Sequence, residues 1–70
     1  MIDRASEIGA FVRSRRRKLG LKQTELAELA GCSARFVHTV EAGKTTVRLD
    51  KLLDVLDVLG LELVVTGPNG

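Results

Sequence analysis

The chain predicts a mainly α fold of four helices, the middle two joined at a tight turn, followed by a short β-strand that pairs antiparallel across a homodimer. Three observations carry this expectation. Residues 23–42, QTELAELAGCSARFVHTVEA, set Leu26, Ala27 and Ala30 on one apolar stripe, break it at Gly31, and resume it with Cys32, Val37 and Val40. Residues 48–60, RLDKLLDVLDVLG, repeat leucine at helical spacing with three aspartates between. Residues 61–66, LELVVT, are β-prone and alternate Leu61, Leu63 and Val65 with Glu62, Val64 and Thr66.

The first helix is expected to start near Asp3 or Ser6, either of which can cap it, and Glu7 then lies in the first turn where the helix dipole favours an anion. It should end at Leu19, with Gly20 the stop. Ile8, Phe11, Val12 and Leu19 form the expected inward stripe, Arg13, Arg15, Arg17 and Lys18 spread around the rest, and Gly9 weakens the helix modestly. The second helix spans about Gln23 to Ala30, and Gly31 supplies the permissive backbone of a sharp exit. The third starts after Ser33, whose hydroxyl can accept from a free backbone N–H, and ends near Ala42. In the fourth, from Arg48 or Leu49 to Leu59, the expected inner face is Leu49, Leu52, Leu53, Leu56 and Leu59, with Asp50, Asp54 and Asp57 outside.

No other segment of the chain reads as a strand, so residues 61–66 have no partner within it. An unpaired strand leaves backbone N–H and C=O groups without partners, and the natural partner is the same segment of a second copy. Two-fold symmetry makes that ribbon antiparallel, with Leu61, Glu62, Leu63, Val64 and Val65 as the dimerisation residues. The competing reading extends the fourth helix through 61–66 or leaves it as coil. The resulting organisation is a domain over 1–60, a dimerisation strand over 61–66 and a flexible tail over 67–70.

Seventy residues permit one domain that buries only roughly 60% of its unfolded surface, so a further source of stability is expected. One Cys cannot form an internal disulfide, and one His with one Cys falls short of a structural zinc site, which leaves oligomerisation. No metal or cofactor is implied. No apolar run approaches the roughly 18 residues of a membrane span, and MIDRASEIGA lacks the apolar core of a signal peptide, so a cytoplasmic protein is expected. The formal charge is +2, but residues 1–48 hold ten Lys/Arg against five Asp/Glu and residues 49–70 hold one against four. The basic part suits a nucleic acid and the acidic part faces something else, although a solvated surface with no ligand would show the same charges.

Catalytic chemistry has little to stand on, and no enzyme is expected. His38 is the sole histidine and has Arg35 and Thr39 nearby in the predicted helix, without a paired carboxylate and nucleophile. Cys32 falls at an apolar position and reads as a small buried hydrophobe. Asp50, Asp54 and Asp57 share a helix face, which reads as a solvated surface opposite the leucines. Within the basic run RSRRRK, Arg16 lies near the inward side between Val12 and Leu19, and Glu41 lies one position past Val40, so an Arg16 to Glu41 ion pair is expected. It orients the first helix on the turn unit more than it adds net stability, because desolvation offsets much of the Coulomb gain.

On these residues, the 23–42 window resembles the helix-turn-helix of the Xre and phage-repressor family. Gln23 opens the motif, Ala27 is its small fifth residue, Gly31 its ninth, and Val37 and Val40 its packed fifteenth and eighteenth, while Leu26, Ala30 and Cys32 fall on further apolar positions. The likeness runs outward through GLKQ and EAGK over about residues 7–59 and implies a lambda-repressor-like four-helix domain. TTVRLDKLLDVLDVLGLELVV further resembles the HipB-like branch, whose last helix is replaced by a dimer-forming strand, and whose members are commonly antitoxins that repress their own operon and bind a HipA-like kinase toxin. One departure is Lys22, where the family usually has Thr: lysine cannot accept the capping bond, so Glu25 keeps only half of a reciprocal capping box.

The resemblance implies that the third helix enters the major groove of double-stranded DNA, with Ser33, Ala34, Arg35, His38 and Thr39 outward. Arg35 is the leading base reader, since its planar fork matches guanine O6 and N7. Ala34 can meet only a thymine methyl, and Phe36 favours packing over contact. Gln23 and Thr24 at the start of the second helix, with Lys22 and Lys44, are the phosphate candidates. A dimer would read two half-sites of a palindromic operator about 34 Å apart. Two other readings stand beside this one: a stand-alone Xre-type regulator, and a protein-interaction module that does not bind DNA.

Overall fold

The computed structural model describes residues 3–68. Its elements are α1 (Arg4–Lys18), α2 (Gln23–Ala30), α3 (Ala34–Glu41) and α4 (Leu49–Leu59). Asp3 caps α1, its Oδ1 accepting from the Ser6 N–H at 2.7 Å. Ser33 caps α3 in the same way, its Oγ accepting from the Phe36 N–H at 3.0 Å. At the end of α2 the Cys32 N–H reaches back to the Ala27 carbonyl at 2.9 Å, a closure that requires left-handed backbone at Gly31 (φ 72°). The same closure ends α1, α3 and α4 through Leu21, Lys44 and Leu61.

The core is Val12, Leu26, Ala27, Val37, Val40, Leu52, Val55, Leu56 and Leu59. It joins all four helices, with α3 packed on both α1 and α2, and α4 closing against α2 and α1. Ala30, Cys32 and Phe36 are half-buried at its edge. Gly9 is buried where α1 crosses the C-terminal end of α3: a Cβ there would meet the Val40 carbonyl oxygen and lie 2.9 Å from that of Glu41. The residue that weakens α1 by propensity is therefore what lets α1 lie close to α3.

Three expectations need correction. Phe11 and Leu19 are exposed, because α1 buries only a narrow face centred on Ile8, Gly9 and Val12. On α4, Leu49 and Leu53 are exposed and Val55 is fully buried. Residues 52, 55, 56 and 59 follow the 3–1–3 spacing of one helix face, and a leucine-only reading turned that face too far toward 49 and 53. The third concerns Leu61, Glu62, Leu63, Val64 and Val65: among the described residues there is no strand, and 61–68 follows α4 without regular structure. A single chain offers this segment no second strand to pair with, so its backbone has no ladder to join. Of the expected tail 67–70, Asn69 and Gly70 lie outside the described residues.

Candidate nucleic-acid interface

Val37 and Val40 anchor the inner face of α3 in the core, and this fixes which residues face out. Arg35 and His38 are exposed, and Arg35 makes no side-chain hydrogen bond or ion pair among the described residues. Thr39 is half-buried and its hydroxyl donates to the Arg35 carbonyl at 2.8 Å. Ser33 is exposed, but its oxygen already serves the helix cap. Ala34 is half-buried against the core, so less of it is presented outward than a groove-facing position implies. Free guanidinium chemistry on this helix thus belongs to Arg35.

At the start of α2, the Lys22 N–H donates to Glu25 Oε1 at 2.8 Å, while the lysine side chain has no acceptor to return. The capping box is one-sided, and Lys22 and Thr24 remain exposed beside the helix N-terminus. Lys44 is exposed just past α3. Gln23 is half-buried, and its Nε2 donates to Glu41 Oε1 at 3.2 Å.

That bond joins Gln23 to an ion pair that ties three helices together. Arg16 donates through Nε to Glu41 Oε2 at 2.6 Å and through Nη2 to Oε1 at 2.9 Å, and its Nη1 reaches the Leu21 carbonyl at 2.8 Å. The two side chains are 12% and 5% exposed, so the fork is shielded from water. Burial pushes the Glu41 carboxyl up, but the hydrogen bonds from Arg16 and Gln23 and the charges of Arg16 and Arg13 outweigh it and hold the group below the ordinary glutamate range. Beside this network lies a cleft of about 240 Å³ lined by Arg13, Arg16, Gln23, His38, Glu41 and Ala42.

Arg13, Arg15 and Lys51 take places that no local sequence pattern marks: Arg13 lines the cleft, and the other two bond across the fold. Arg15 Nε donates to the Leu59 carbonyl at 2.9 Å, and Lys51 Nζ to the Gly31 carbonyl at 3.1 Å, so each closes the C-terminal end of another helix. A cation near a helix C-terminus of its own helix is legible in a sequence, but these reach across 44 and 20 residues. Burial pushes the Cys32 thiol up, which suits a packing residue. Asp50 is exposed and bonded by Arg48 at 2.7 Å, and among the described residues no group of His, Cys, Asp or Glu is placed to hold a metal ion.

Away from α3, Ile8, Phe11, Leu56, Leu61 and Leu63 line an apolar groove of about 270 Å³ between α1, α4 and the C-terminal segment. Glu62 also lines it, and the two residues that follow Leu63 in the chain, Val64 and Val65, are exposed. No helix among the described residues is long and apolar enough to cross a membrane.

Comparison with known proteins agrees with this architecture. Over 64 residues the chain is 42% identical to y4mF of Sinorhizobium fredii, named an uncharacterized HTH-type transcriptional regulator, and the alignment covers 91% of this chain and 84% of that protein. Residues 7–66 match the family described as "Helix-turn-helix domain". A match that spans α2, the Gly31 turn and α3 together with their packing partners α1 and α4 places the chain in the helix-turn-helix domain family.

Proposed function

We propose that this protein is a sequence-specific DNA-binding transcriptional repressor that acts as a homodimer. The observation that carries the reading is Arg35: an exposed, unpaired guanidinium on the outer face of a helix whose inner face is locked into the core. In this reading α3 lies in the major groove and Arg35 bonds guanine O6 and N7. His38, Thr39 and Ala34 on the same helix, with Ser33 at its cap, tune the fit. Lys22, Gln23, Thr24 and Lys44 hold backbone phosphates, with the open N-terminus of α2 beside them. The Arg16 and Glu41 pair sets the angle between α1 and the reading unit.

Dimerisation through residues 61–65 would place two reading helices on a palindromic operator. The exposed apolar run Leu63, Val64 and Val65 supports this, since such a surface is costly to leave in water. At the finer level we assign the protein as an autoregulating antitoxin of a HipA-like kinase toxin, on the likeness of its C-terminal third to the HipB-like branch. A stand-alone regulator is the second reading, favoured by the relative that is named only as a transcriptional regulator. A kinase-like open reading frame beside this gene would favour the antitoxin, and its absence the stand-alone regulator.

The decisive experiment is a salt-dependent gel shift on the upstream promoter. Wild type binds it in preference to an unrelated duplex, and Arg35→Ala loses about 1–3 kcal/mol of that preference. Unchanged operator preference in Arg35→Ala would remove the recognition assignment. Absence of any duplex binding by wild type would favour the protein-interaction module.

A further inference from the structure

Resting on the DNA-binding reading above, we infer that Arg13, which lies on α1 outside the helix-turn-helix, grips a DNA backbone phosphate at the mouth of the cleft between α1, α2 and α3. Each protomer's footprint then includes its first helix.

Position supports this first. Gly9 brings α1 against the last carbonyls of α3, and Arg13, one turn further along the same side of α1, lines the cleft together with Gln23 of α2 and His38 of α3. Both of those residues belong to the elements assigned to DNA, so a duplex seated on them has its backbone beside the cleft.

Charge supports it next. Glu41 is the one acidic residue lining the cleft, and it is already committed: Oε2 accepts from Arg16 at 2.6 Å, and Oε1 from Arg16 at 2.9 Å and Gln23 at 3.2 Å. Arg16 therefore brings no net charge, whereas Arg13 is exposed and has no hydrogen bond or ion pair among the described residues. The cleft is left with one surplus cation, and a planar guanidinium fork is suited to a phosphate. Arg13 also favours the charged form of Glu41. A purely structural role on that basis predicts a change in folding and none in salt dependence.

The test compares full-length wild type, Arg13→Gln and Arg13→Lys on the promoter duplex and on an unrelated duplex across a series of KCl concentrations. The expected result is that Arg13→Gln weakens both duplexes by the same factor, leaves the ratio between them unchanged, and reduces the slope of log K against log[KCl] by about 0.9 per bound protomer. Arg13→Lys retains the slope, and the melting temperature of Arg13→Gln matches wild type. An unchanged slope in Arg13→Gln overturns the inference, whether or not its melting temperature falls. A wild type that binds with an unchanged Arg13→Gln slope refutes only this contact, while a wild type that binds neither duplex removes the DNA-binding reading and this inference with it.

Discussion

In the α2–α3 unit, the turn and the start of the outer helix are closed from within the chain: Cys32 bonds back to Ala27, Ser33 caps α3, and Arg16 and Gln23 hold Glu41 at the far end. Residues 61–66 follow Gly60 with no ladder partner, and leave Leu63, Val64 and Val65 42%, 68% and 92% exposed. The first region has its hydrogen-bond partners and its core inside one molecule. The second is tied back only at its start, where the Leu61 N–H reaches the Leu56 carbonyl, and beyond that it carries exposed apolar surface with no ladder among the described residues. One region is closed within a single protomer, and the other is the segment through which the proposed dimer would form.

The largest expected effect breaks the first region at its ion pair. Arg16→Ala strands Glu41, 5% exposed, with Gln23 as its remaining partner, and should cost about 3–5 kcal/mol of unfolding free energy at neutral pH, read by urea denaturation. Replacing both residues by apolar ones should recover most of this. The pH dependence fixes the sign: Glu41 has a lowered pKa in the fold, so its contribution is complete above the ordinary value of 4.5 and is lost as pH falls through the folded value. The deficit of Arg16→Ala should therefore narrow in acid, and a deficit constant across that range would assign it to packing.

A smaller effect is expected at Gly9. Alanine gains about 1 kcal/mol of helix propensity there, but its methyl meets backbone carbonyls of Val40 and Glu41 that cannot rotate away. Overpacking of this kind costs about 1–3 kcal/mol, so after the propensity gain a net loss of about 1 kcal/mol is expected from thermal or urea unfolding. A stabilised Gly9→Ala would show that α1 is free to move off α3.

The smallest effect on folding sharpens the contrast with the second region. Val65→Lys alters a fully solvated position and should change protomer stability by less than about 0.5 kcal/mol. The proposed self-association, measured by sedimentation equilibrium, should nevertheless weaken at least about tenfold, because in that dimer a charge would enter an apolar contact. Unaltered self-association would take the segment out of the interface.

Much of the helical frame was legible in the sequence because local chemistry sets it. The caps at Asp3 and Ser33, the stop at Gly31 and the span Gln23–Ala30 all follow from residues within a turn or two of where they act. Arg16 and Glu41 could be matched across 25 residues because each sits beside a core position on its own helix. Arg15 and Lys51 could not, since their acceptors are backbone carbonyls, which every residue possesses and no sequence pattern marks. Phe11, Leu19, Leu49 and Leu53 are exposed against expectation for a related reason: hydrophobicity marks a residue as able to be buried, and the core formed by the described residues has no room for all that qualify.

Where the helices begin and end, that two of them meet at a tight glycine turn, and that the net positive charge precedes the last helix are all written in the order of residues. Which face of α4 is inner, how closely α1 lies on α3, and which arginines hold the fold emerge only when the helices pack. The physical reason is range. Capping and turn chemistry act over a few residues and are written in the local order of side chains. Helix rotation and the pairing of charges depend on volume and geometry shared between segments that the chain keeps far apart.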